Sequence, residues 1–381
     1  MTAPLDDQRR RIDAIDARLL ELLRERNELA AEVIAAKITA GLPVFVPERE
    51  RAKVAAFRDA AATEGLDPEW AEDFLRMIMS SSRARQSQAD FPCAPGGPRR
   101  VLLVGGAGQL GRCYGRAFAA SGHEVRVLDA NDWDRVDDLC AGVDLAVVTV
   151  PIRVTEEVIA RLAPHLAPTT LLADFTSHKE APLAAMLAAH PGPVVGLHPM
   201  HGPDVGNLSK QLVIACPGRA PDAAAWLLDQ FRLWGLRVRE LAPEKHDRVM
   251  HQVQGLRHFV ALLHGSFMRA SELSPADVLE LSSPIYRAEL MMTGRIFAQN
   301  AELYADIVFA DAERRALLLR FLAHHEQLAD LVRHDDKAGF IREFEAIGEF
   351  FGDFAARART ESGYLIHRLA DRFAGTEEDP A

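Results

Sequence analysis

The sequence predicts a multidomain α and α/β protein in which two all-helical domains flank a doubly wound, mainly parallel sheet. Short β-rich runs alternate with helical stretches in the middle third of the chain, which is typical of βαβ units. Apolar residues on both sides of that region recur at helical spacing instead. Three prolines and two glycines interrupt residues 91–98. We therefore expect domains at 1–90, 99–243 and 244–373, a linker at 91–98 and a disordered tail at 374–381.

The overall composition limits the class of protein and its partners. The chain has 381 residues and a net charge of −11, so its electrostatic field argues against a nucleic-acid partner or an anionic membrane. The N-terminal residues lack the apolar core of a signal peptide, and no apolar run approaches the roughly 20 residues that span a bilayer. The four cysteines are scattered without a CxxC pair. The sequence thus predicts a cytoplasmic protein with no metal site and no membrane partner.

A long helix is predicted at the N-terminus. Residues 5–40 contain neither Gly nor Pro, and apolar residues recur there at helical spacing between Pro4 and Gly41. A helix of this length reaches roughly 50 Å, which exceeds the width of a small domain. It must therefore pack against another element along most of its length, and we expect that element to be the same helix of a second copy of the chain. Two further helices are predicted at 47–62 and 67–86, the second with Asp67 as its N-cap.

A glycine-rich turn predicts a dinucleotide site in the middle domain. Gly106, Gly108 and Gly111 form a G-x-G-x-x-G pattern between a predicted strand at 101–104 and a predicted helix at 110–121. These glycines permit the tight turn, the approach of a pyrophosphate and the close packing of helix on strand. A second strand ends in Asp129, whose carboxylate suits the ribose hydroxyls and repels a 2′-phosphate, so NAD is favoured over NADP. The pattern predicts a Rossmann-type domain with these cofactor contacts: Gly106, Ala107, Gly108, Gln109, Leu110, Gly111, Asp129 and Pro151.

Polar residues that follow two other predicted strands are candidates for the chemistry. His198, in the segment GLHPMHGP, directly follows a strand at 194–197, where α/β sheets place ligand-binding residues. A neutral imidazole there would accept a proton near physiological pH, and a turn histidine without a chemical role is the alternative. Ser177 and Lys179, in DFTSHK, follow a strand that ends at Ala173.

Several motifs together resemble prephenate dehydrogenase. They run from about residue 99 to 373 and comprise VGGAGQLG, DFTSHK, GLHPMHGP, the segments 254–258 and 283–287, and Gly294-Arg295. The resemblance implies NAD-dependent oxidative decarboxylation of prephenate to 4-hydroxyphenylpyruvate, a helical C-terminal dimerisation domain and tyrosine as a feedback inhibitor. It also implies that His198 accepts the proton of the ring 4-hydroxyl and that Ser177 hydrogen-bonds to both His198 and this hydroxyl. Lys179 would be an additional cation near the developing charge.

The same resemblance assigns ligand contacts in the C-terminal domain. Arg295 would pair with a substrate carboxylate, because a guanidinium matches a carboxylate bidentately. His258 and Arg287 match positions linked to substrate or tyrosine recognition, with a structural ion pair as the alternative for Arg287. His201 departs from the family pattern, which has a hydrophobic residue there, and we expect its side chain to point into solvent.

Residues 1–86 resemble the small all-helical chorismate mutase domain, an intertwined dimer that converts chorismate to prephenate. This rearrangement is unimolecular, so a catalyst needs cations and a donor to the ether oxygen. Arg26 and Lys37 are eleven residues apart and share one face of the long helix. Arg9 lies seventeen residues before Arg26, roughly 25 Å away, so we expect it to serve the partner's site in a homodimer.

Four more residues complete this site by resemblance: Arg49, Glu50, Ser82 and Gln86. Gln86 and Lys37 are the candidate donors to the ether oxygen, and Val46 departs from relatives that carry an acidic residue there. The whole sequence predicts a bifunctional enzyme of tyrosine biosynthesis with chorismate and prephenate as substrates. The alternative is an arogenate dehydrogenase whose helical N-terminal module dimerises or regulates without catalysis.

Overall fold

The structure, a computed structural model, describes residues 3–43, 45–86, 91–205 and 207–374, with the side chains of all of these except 3–4, 83–86 and 370–374. The chain forms two compact units, Met1–Asp247 and Arg248–Ala381. The N-terminal helices and the sheet belong to the first unit, and the described part of the second unit is helical. The tail expected at 374–381 lies, apart from Ala374, outside the described residues.

Three helices begin the first unit: α1 (Ala3–Thr39), α2 (Pro47–Thr63) and α3 (Pro68–Gln86). They confirm the three predicted helices to within two residues at each end. The predicted N-cap is confirmed as well, because Asp67 accepts a hydrogen bond of 2.8 Å from the N–H of Glu69. Buried side chains of α2 and α3 pack together, among them Val54, Leu75 and Met79.

A seven-stranded sheet forms the centre of the first unit. Its strands are β1 (Arg100–Val104), β2 (Glu124–Leu128), β3 (Leu145–Val148), β4 (Leu171–Asp174), β5 (Val194–Pro199), β6 (Leu212–Pro217) and β7 (Arg237–Glu240). They lie in the order β2-β1-β3-β4-β5-β6-β7, and all neighbours are parallel except β5 and β6. This confirms the mainly parallel sheet. The antiparallel pair follows from its connection, because the described part of residues 200–211 contains no crossover helix.

The strand β7 is absent from the predicted strands. Its sequence, Arg-Val-Arg-Glu, carries one apolar residue, and three of its four side chains are exposed at the edge of the sheet. An edge strand needs no continuous apolar run, so the hydrophobic pattern gives no signal. The strand is held by its parallel register with β6, in which Val238 lies opposite Val213.

Helices connect and cover the strands of this unit. They are α4 (Gln109–Ala120), α5 (Val136–Cys140), α6 (Thr155–Leu162), α7 (Glu180–Ala189) and α8 (Ala225–Leu233). The helix α9 (Pro243–Met250) follows β7, and its residues up to Asp247 belong to this unit. Tyr114 and Phe118 of α4 pack with Phe231 and Trp234 in the apolar core. The predicted linker is docked on this core, because the N–H of Phe91 donates to a carbonyl of α4 at 2.8 Å and its ring contacts Trp234.

The second unit confirms the helical C-terminal prediction. Its helices are α10 (Arg257–Ala270), α11 (Pro275–Glu280), α12 (Pro284–Phe297), α13 (Ala301–Val308), α14 (Ala312–Arg333), α15 (Lys337–Phe351) and α16 (Asp353–Ala374). A short π-helical segment, His251–Leu256, precedes α10. Every helix in the described parts of the chain is too short or too polar to cross a membrane.

Candidate active sites

The glycine-rich turn joins β1 to α4 at the carboxyl edge of the sheet, where the strand order reverses between β1 and β3. Such a switch point is where α/β sheets bind ligands. Gly105 has a φ of +83°, and a Cβ on Gly111 would lie 2.7 Å from the Cα of Gly106, so the backbones approach too closely for a side chain. Asp129 accepts a hydrogen bond of 3.1 Å from the N–H of Ala107. A turn whose backbone is not covered by side chains, beside a carboxylate, fits a dinucleotide.

The other predicted cofactor residues surround the same turn. Gly108 is the N-cap of α4, and Gln109 and Leu110 are its first residues. The N–H groups of Gln109 and Leu110 belong to the first turn of the helix, which has no intrahelical acceptors for them, and the helix dipole favours an anion there. Pro151 is exposed in the loop after β3. It follows Val150, whose side chain lies so close to Gly105 of the turn that a Cβ added to this glycine would be 2.9 Å from it.

His198 lies near the end of β5 and is only 2 % exposed. Its Nδ1 lies 2.8 Å from Nε2 of His246, and Nδ1 of His246 lies 2.6 Å from a carboxylate oxygen of Asp247. Both partners are buried on α9. Neither of them was among the predicted site residues. The adjacent His-Asp pair at 246–247 is the only signal in the sequence, and β7, the strand before it, is not among the predicted strands.

The hydrogen bonds determine which ring nitrogens carry protons. The ionised carboxylate of Asp247 only accepts, so Nδ1 of His246 carries a proton and donates to it. When His246 carries only this one proton, its Nε2 is an acceptor, to which the Nδ1–H of His198 donates. In that state Nε2 is the acceptor nitrogen of His198, which is the tautomer that a general base requires.

Asp247 also connects this chain of hydrogen bonds to the backbone. Its oxygens accept from the N–H groups of Lys179 at 2.8 Å and Glu180 at 2.9 Å, where α7 begins. Burial by itself raises the pKa of Asp247, but the hydrogen bonds from His246 and the two N–H groups outweigh it and lower the pKa below its ordinary value. The carboxylate is therefore ionised at neutral pH and holds His246 in one orientation.

Lys179 is fully buried. Its ammonium pairs with the carboxylate of Asp174 and donates to the carbonyl of Leu197 at 2.7 Å. Because Leu197 directly precedes His198 on β5, these contacts favour a positioning role for Lys179 over direct contact with a substrate. Ser177 is half-buried in the loop between β4 and α7.

The expectation that His201 points into solvent is wrong. Its ring stacks on that of Tyr114 with centroids 5.9 Å apart, and its Nε2 lies 3.1 Å from the phenolic oxygen. Burial lowers the pKa of His201 below its ordinary value. Tyr114 is fully buried on α4, so the histidine gives a buried hydroxyl its hydrogen-bond partner.

A cavity of about 310 Å³ lies among α1, α2 and α3. It brings together five of the seven residues predicted for the mutase site: Arg26, Lys37, Arg49, Glu50 and Ser82. Lys53 also lines it, together with apolar side chains that include Phe45 and Val46. Four cations thus face one carboxylate in the described lining, and this excess of positive charge suits an anionic ligand.

Hydrogen bonds and burial shape the cations of this cavity. Nη1 of Arg26 donates to Oγ of Ser82 at 3.0 Å, and that hydroxyl donates to Oδ1 of Asn27 at 2.9 Å. Burial lowers the pKa of Arg26, and burial together with the charge of Arg49 lowers the pKa of Lys37. Both cations are thus partly desolvated, so an anion bound beside them would interact more strongly than in water.

Arg9 and Gln86 are the two remaining residues predicted for this site. The side chain of Arg9 is 67 % exposed on the first turns of α1 and pairs with Asp6. The described lining of the cavity does not include it, and its role in a partner's site stays a prediction. Gln86 ends α3, and its side chain lies outside the described residues.

In the second unit, His258 lies in the first turn of α10. Its ring meets that of Tyr304 edge-on, with centroids 4.7 Å apart. Burial, assisted by the charges of Arg257 and Arg314, lowers the pKa of His258 to about 4. The imidazole is therefore neutral near pH 7 and would bind a ligand through hydrogen bonds and not as a cation.

Arg287 and Arg295 both lie on α12. Arg287 is half-buried and donates to the carbonyl of Leu279 at 2.9 Å, which gives it a structural contact near the end of α11. Arg295 is exposed in the last turn of the helix.

Three family models match successive parts of the chain. They are chorismate mutase type II over residues 8–87, the nucleotide-binding domain of prephenate dehydrogenase over residues 115–237, and the dimerization domain of prephenate dehydrogenase over residues 242–346. The folds and sites therefore define a protein that joins a chorismate mutase to a prephenate dehydrogenase in one chain.

The comparison with whole proteins narrows this class. A T-protein of Enterobacter agglomerans is 41% identical over 97% of this chain and 99% of its own length, and a T-protein of Haemophilus influenzae is 39% identical over 96% and 97%. This chain also resembles the crystal structure of prephenate dehydrogenase from Aquifex aeolicus in complex with hydroxyphenyl propionate and NAD+, with a TM-score of 0.54 and 18% sequence identity. The match covers 68% of this chain and 100% of that chain, and it shows that the two share a fold. The chain belongs to the T-protein family of bifunctional chorismate mutase/prephenate dehydrogenases.

Proposed function

We propose that the cavity among α1, α2 and α3 rearranges chorismate to prephenate, and that His198 accepts a proton when NAD-dependent oxidation converts prephenate to 4-hydroxyphenylpyruvate. The observation that carries the proposal is the buried chain of hydrogen bonds from His198 through His246 to Asp247. It leaves Nε2 of His198 as a proton acceptor in a fixed orientation, which is the preorganisation that general-base catalysis needs.

In the mutase reaction the protein must fold a flexible dianion and stabilise the charge on its breaking ether bond. Arg26 and Arg49, which line the cavity, bind carboxylates of the substrate in this proposal, with Glu50 and Ser82 completing the contacts. Lys37 donates to the ether oxygen together with Gln86. The rearrangement needs no proton transfer, so fixed cations suffice.

In the dehydrogenase reaction Nε2 of His198 accepts the proton of the ring 4-hydroxyl, to which Ser177 also hydrogen-bonds. The charge that develops on the imidazole is stabilised through His246 by the carboxylate of Asp247, as in other base–carboxylate pairs. Arg295 binds a substrate carboxylate bidentately, with His258 contributing a neutral hydrogen-bonding group. Loss of carbon dioxide makes the ring aromatic, and this drives the reaction.

The turn between β1 and α4 holds NAD in this proposal. The bare backbone from Gly106 to Gly111 suits the pyrophosphate, Asp129 suits the ribose hydroxyls, and Pro151 borders the cofactor. When bound, NAD takes up the two electrons of the oxidation. The acidic residue favours NAD over NADP because it repels a 2′-phosphate.

A cytoplasmic homodimer is the proposed working form. Apolar side chains of α1 are more than half exposed on a single chain, including Ile12 at 57%, Ile15 at 56% and Leu22 at 58%. A second α1 would bury them and would bring Arg9 to the partner's cavity. Tyrosine resembles the product, so we propose that it inhibits by occupying the prephenate site.

The test follows both reactions in one preparation of the full-length protein. Chorismate loss is recorded with chorismate supplied, and NADH formation is recorded in a separate reaction with prephenate and NAD supplied. Arg26→Ala should abolish chorismate loss and leave prephenate oxidation unchanged. His198→Asn should lower the dehydrogenase kcat strongly while mutase activity and NAD binding persist, so each variant controls for the other. Arg295→Gln should raise the KM for prephenate.

Three outcomes would contradict these assignments. Mutase activity that survives Arg26→Ala would remove catalysis from the cavity. An unchanged KM for prephenate in Arg295→Gln would remove the carboxylate contact. Faster turnover of arogenate than of prephenate would replace the proposed substrate, since arogenate differs only in carrying an amine where prephenate has a keto group.

A further inference from the structure

Lys210 connects the nucleotide-binding sheet to the mutase cavity. It lies in the connection between β5 and β6, and its ammonium lies 2.5 Å from Oε1 of Glu50 and 5.0 Å from the ring centroid of Phe45. Glu50 and Phe45 both line the mutase cavity. A cation from the dehydrogenase half therefore contacts two residues of the other active site within one compact unit.

The backbone around Lys210 is held in a specific conformation. Its φ of +69° lies in the left-handed region, which is unfavourable for a residue with a Cβ. The N–H of Lys210 donates to the carbonyl of Gly235 at 2.8 Å. Gly235 itself has a φ of +83°, and a Cβ on it would lie 3.2 Å from Cβ of Phe45. Two loops of the sheet thus meet the segment that leads into α2, and they direct the lysine toward Glu50.

Glu50 depends on such partners because its side chain is only 11% exposed. Its Oε1 also lies 3.5 Å from Nη1 of Arg76 on α3, a longer and weaker contact than that with Lys210. The same carboxylate borders a cavity that carries Arg26, Lys37 and Arg49. Lys210 offsets the negative charge of Glu50, which would otherwise neutralise part of the positive charge that the substrate dianion requires.

We propose that Lys210 is a positioning residue of the mutase reaction, which holds Glu50 in the orientation that binds substrate and offsets its charge beside the cavity cations. The inference rests on the mutase site proposed above. It means that the nucleotide-binding domain supplies a residue that aligns the first of the two reactions.

The experiment compares Lys210→Met with Lys210→Arg in the full-length protein. Methionine keeps an unbranched apolar side chain but removes the charged ammonium, whereas arginine keeps the charge. We expect Lys210→Met to lower mutase kcat/KM about tenfold, mainly through KM for chorismate, as for loss of a partly exposed charged hydrogen bond. Lys210→Arg should restore most of it. Prephenate oxidation should be unchanged, and so should both activities in the control Lys337→Met, an exposed lysine of the second unit.

A double-mutant cycle with Glu50→Gln separates positioning from a general effect. If Lys210 acts through Glu50, adding Lys210→Met to Glu50→Gln should cause little further loss of mutase activity. Additive losses, an unchanged KM and kcat in Lys210→Met, or an equal loss of both activities would overturn the inference. Arg26→Ala distinguishes the two levels of the proposal, because a mutase that survives that change disproves the cavity itself and not only the role of Lys210.

Discussion

Asp247→Asn is the sharpest test of the hydrogen-bonded chain behind His198. One oxygen of Asp247 accepts from His246 and from the N–H of Lys179, and the other accepts from the N–H of Glu180. If the asparagine oxygen takes the position that faces His246 and Lys179, its NH2 group faces one donor, the N–H of Glu180. In the reverse orientation the NH2 group faces the two donors of His246 and Lys179. The first orientation is therefore favoured, and it preserves the tautomers while removing the negative charge.

The expected loss follows from that single change. A hydrogen bond to a charged group contributes about 1.5–3 kcal/mol, and here the charge stabilises the imidazole once it has taken up the substrate proton. At about 1.4 kcal/mol per factor of ten, the dehydrogenase kcat should fall roughly 10- to 150-fold. The acidic limb of its pH profile should also move to lower pH, because the charge that favours the protonated imidazole is gone.

Stopped-flow or steady-state NADH formation from prephenate measures the effect, with chorismate rearrangement by the same preparation as the internal control. Asp229→Asn is a matched control, since Asp229 is half exposed and pairs with Arg232 on the surface of α8. An unchanged kcat and pH profile in Asp247→Asn would refute the role of the carboxylate. Equal loss of both activities would show that Asp247 acts only on folding.

Two further predictions use the turn and the second unit. Gly111→Ala should abolish NAD binding, measured by calorimetry, and leave mutase activity intact, because its Cβ would lie 2.7 Å from the backbone of Gly106; normal NAD affinity would contradict this. The pKa of His258 is lowered to about 4 from 6.5, so between these values the unfolded chain takes up a proton that the native state does not. The stability of the protein should therefore fall as pH falls through that window, and His258→Gln should make the fall in Tm shallower. His334→Gln, on an exposed residue, is the control. Parallel curves of Tm against pH for His258→Gln and the unaltered protein would contradict the assignment.

Much of the candidate site was predictable because its residues sit in local patterns. Gly106, Gly111 and Asp129 are separated by the lengths of one turn, one helix and one strand, and those lengths follow from periodicity. Arg26 and Lys37 share a helix face for the same reason. The prediction for His201 failed because its partner Tyr114 is 87 residues away on another element.

Sequence by itself determined the three predicted N-terminal helices, the strands other than β7, the dinucleotide turn and the location of His198 after a strand, since each depends on backbone requirements that neighbouring residues express. Tertiary structure alone decided which distant groups meet. His198 contacts a histidine 48 residues away, and Lys210 contacts a carboxylate 160 residues away. Such pairs leave no periodic signal, because the energy that forms them arises only when packing removes both groups from water and leaves each as the other's partner.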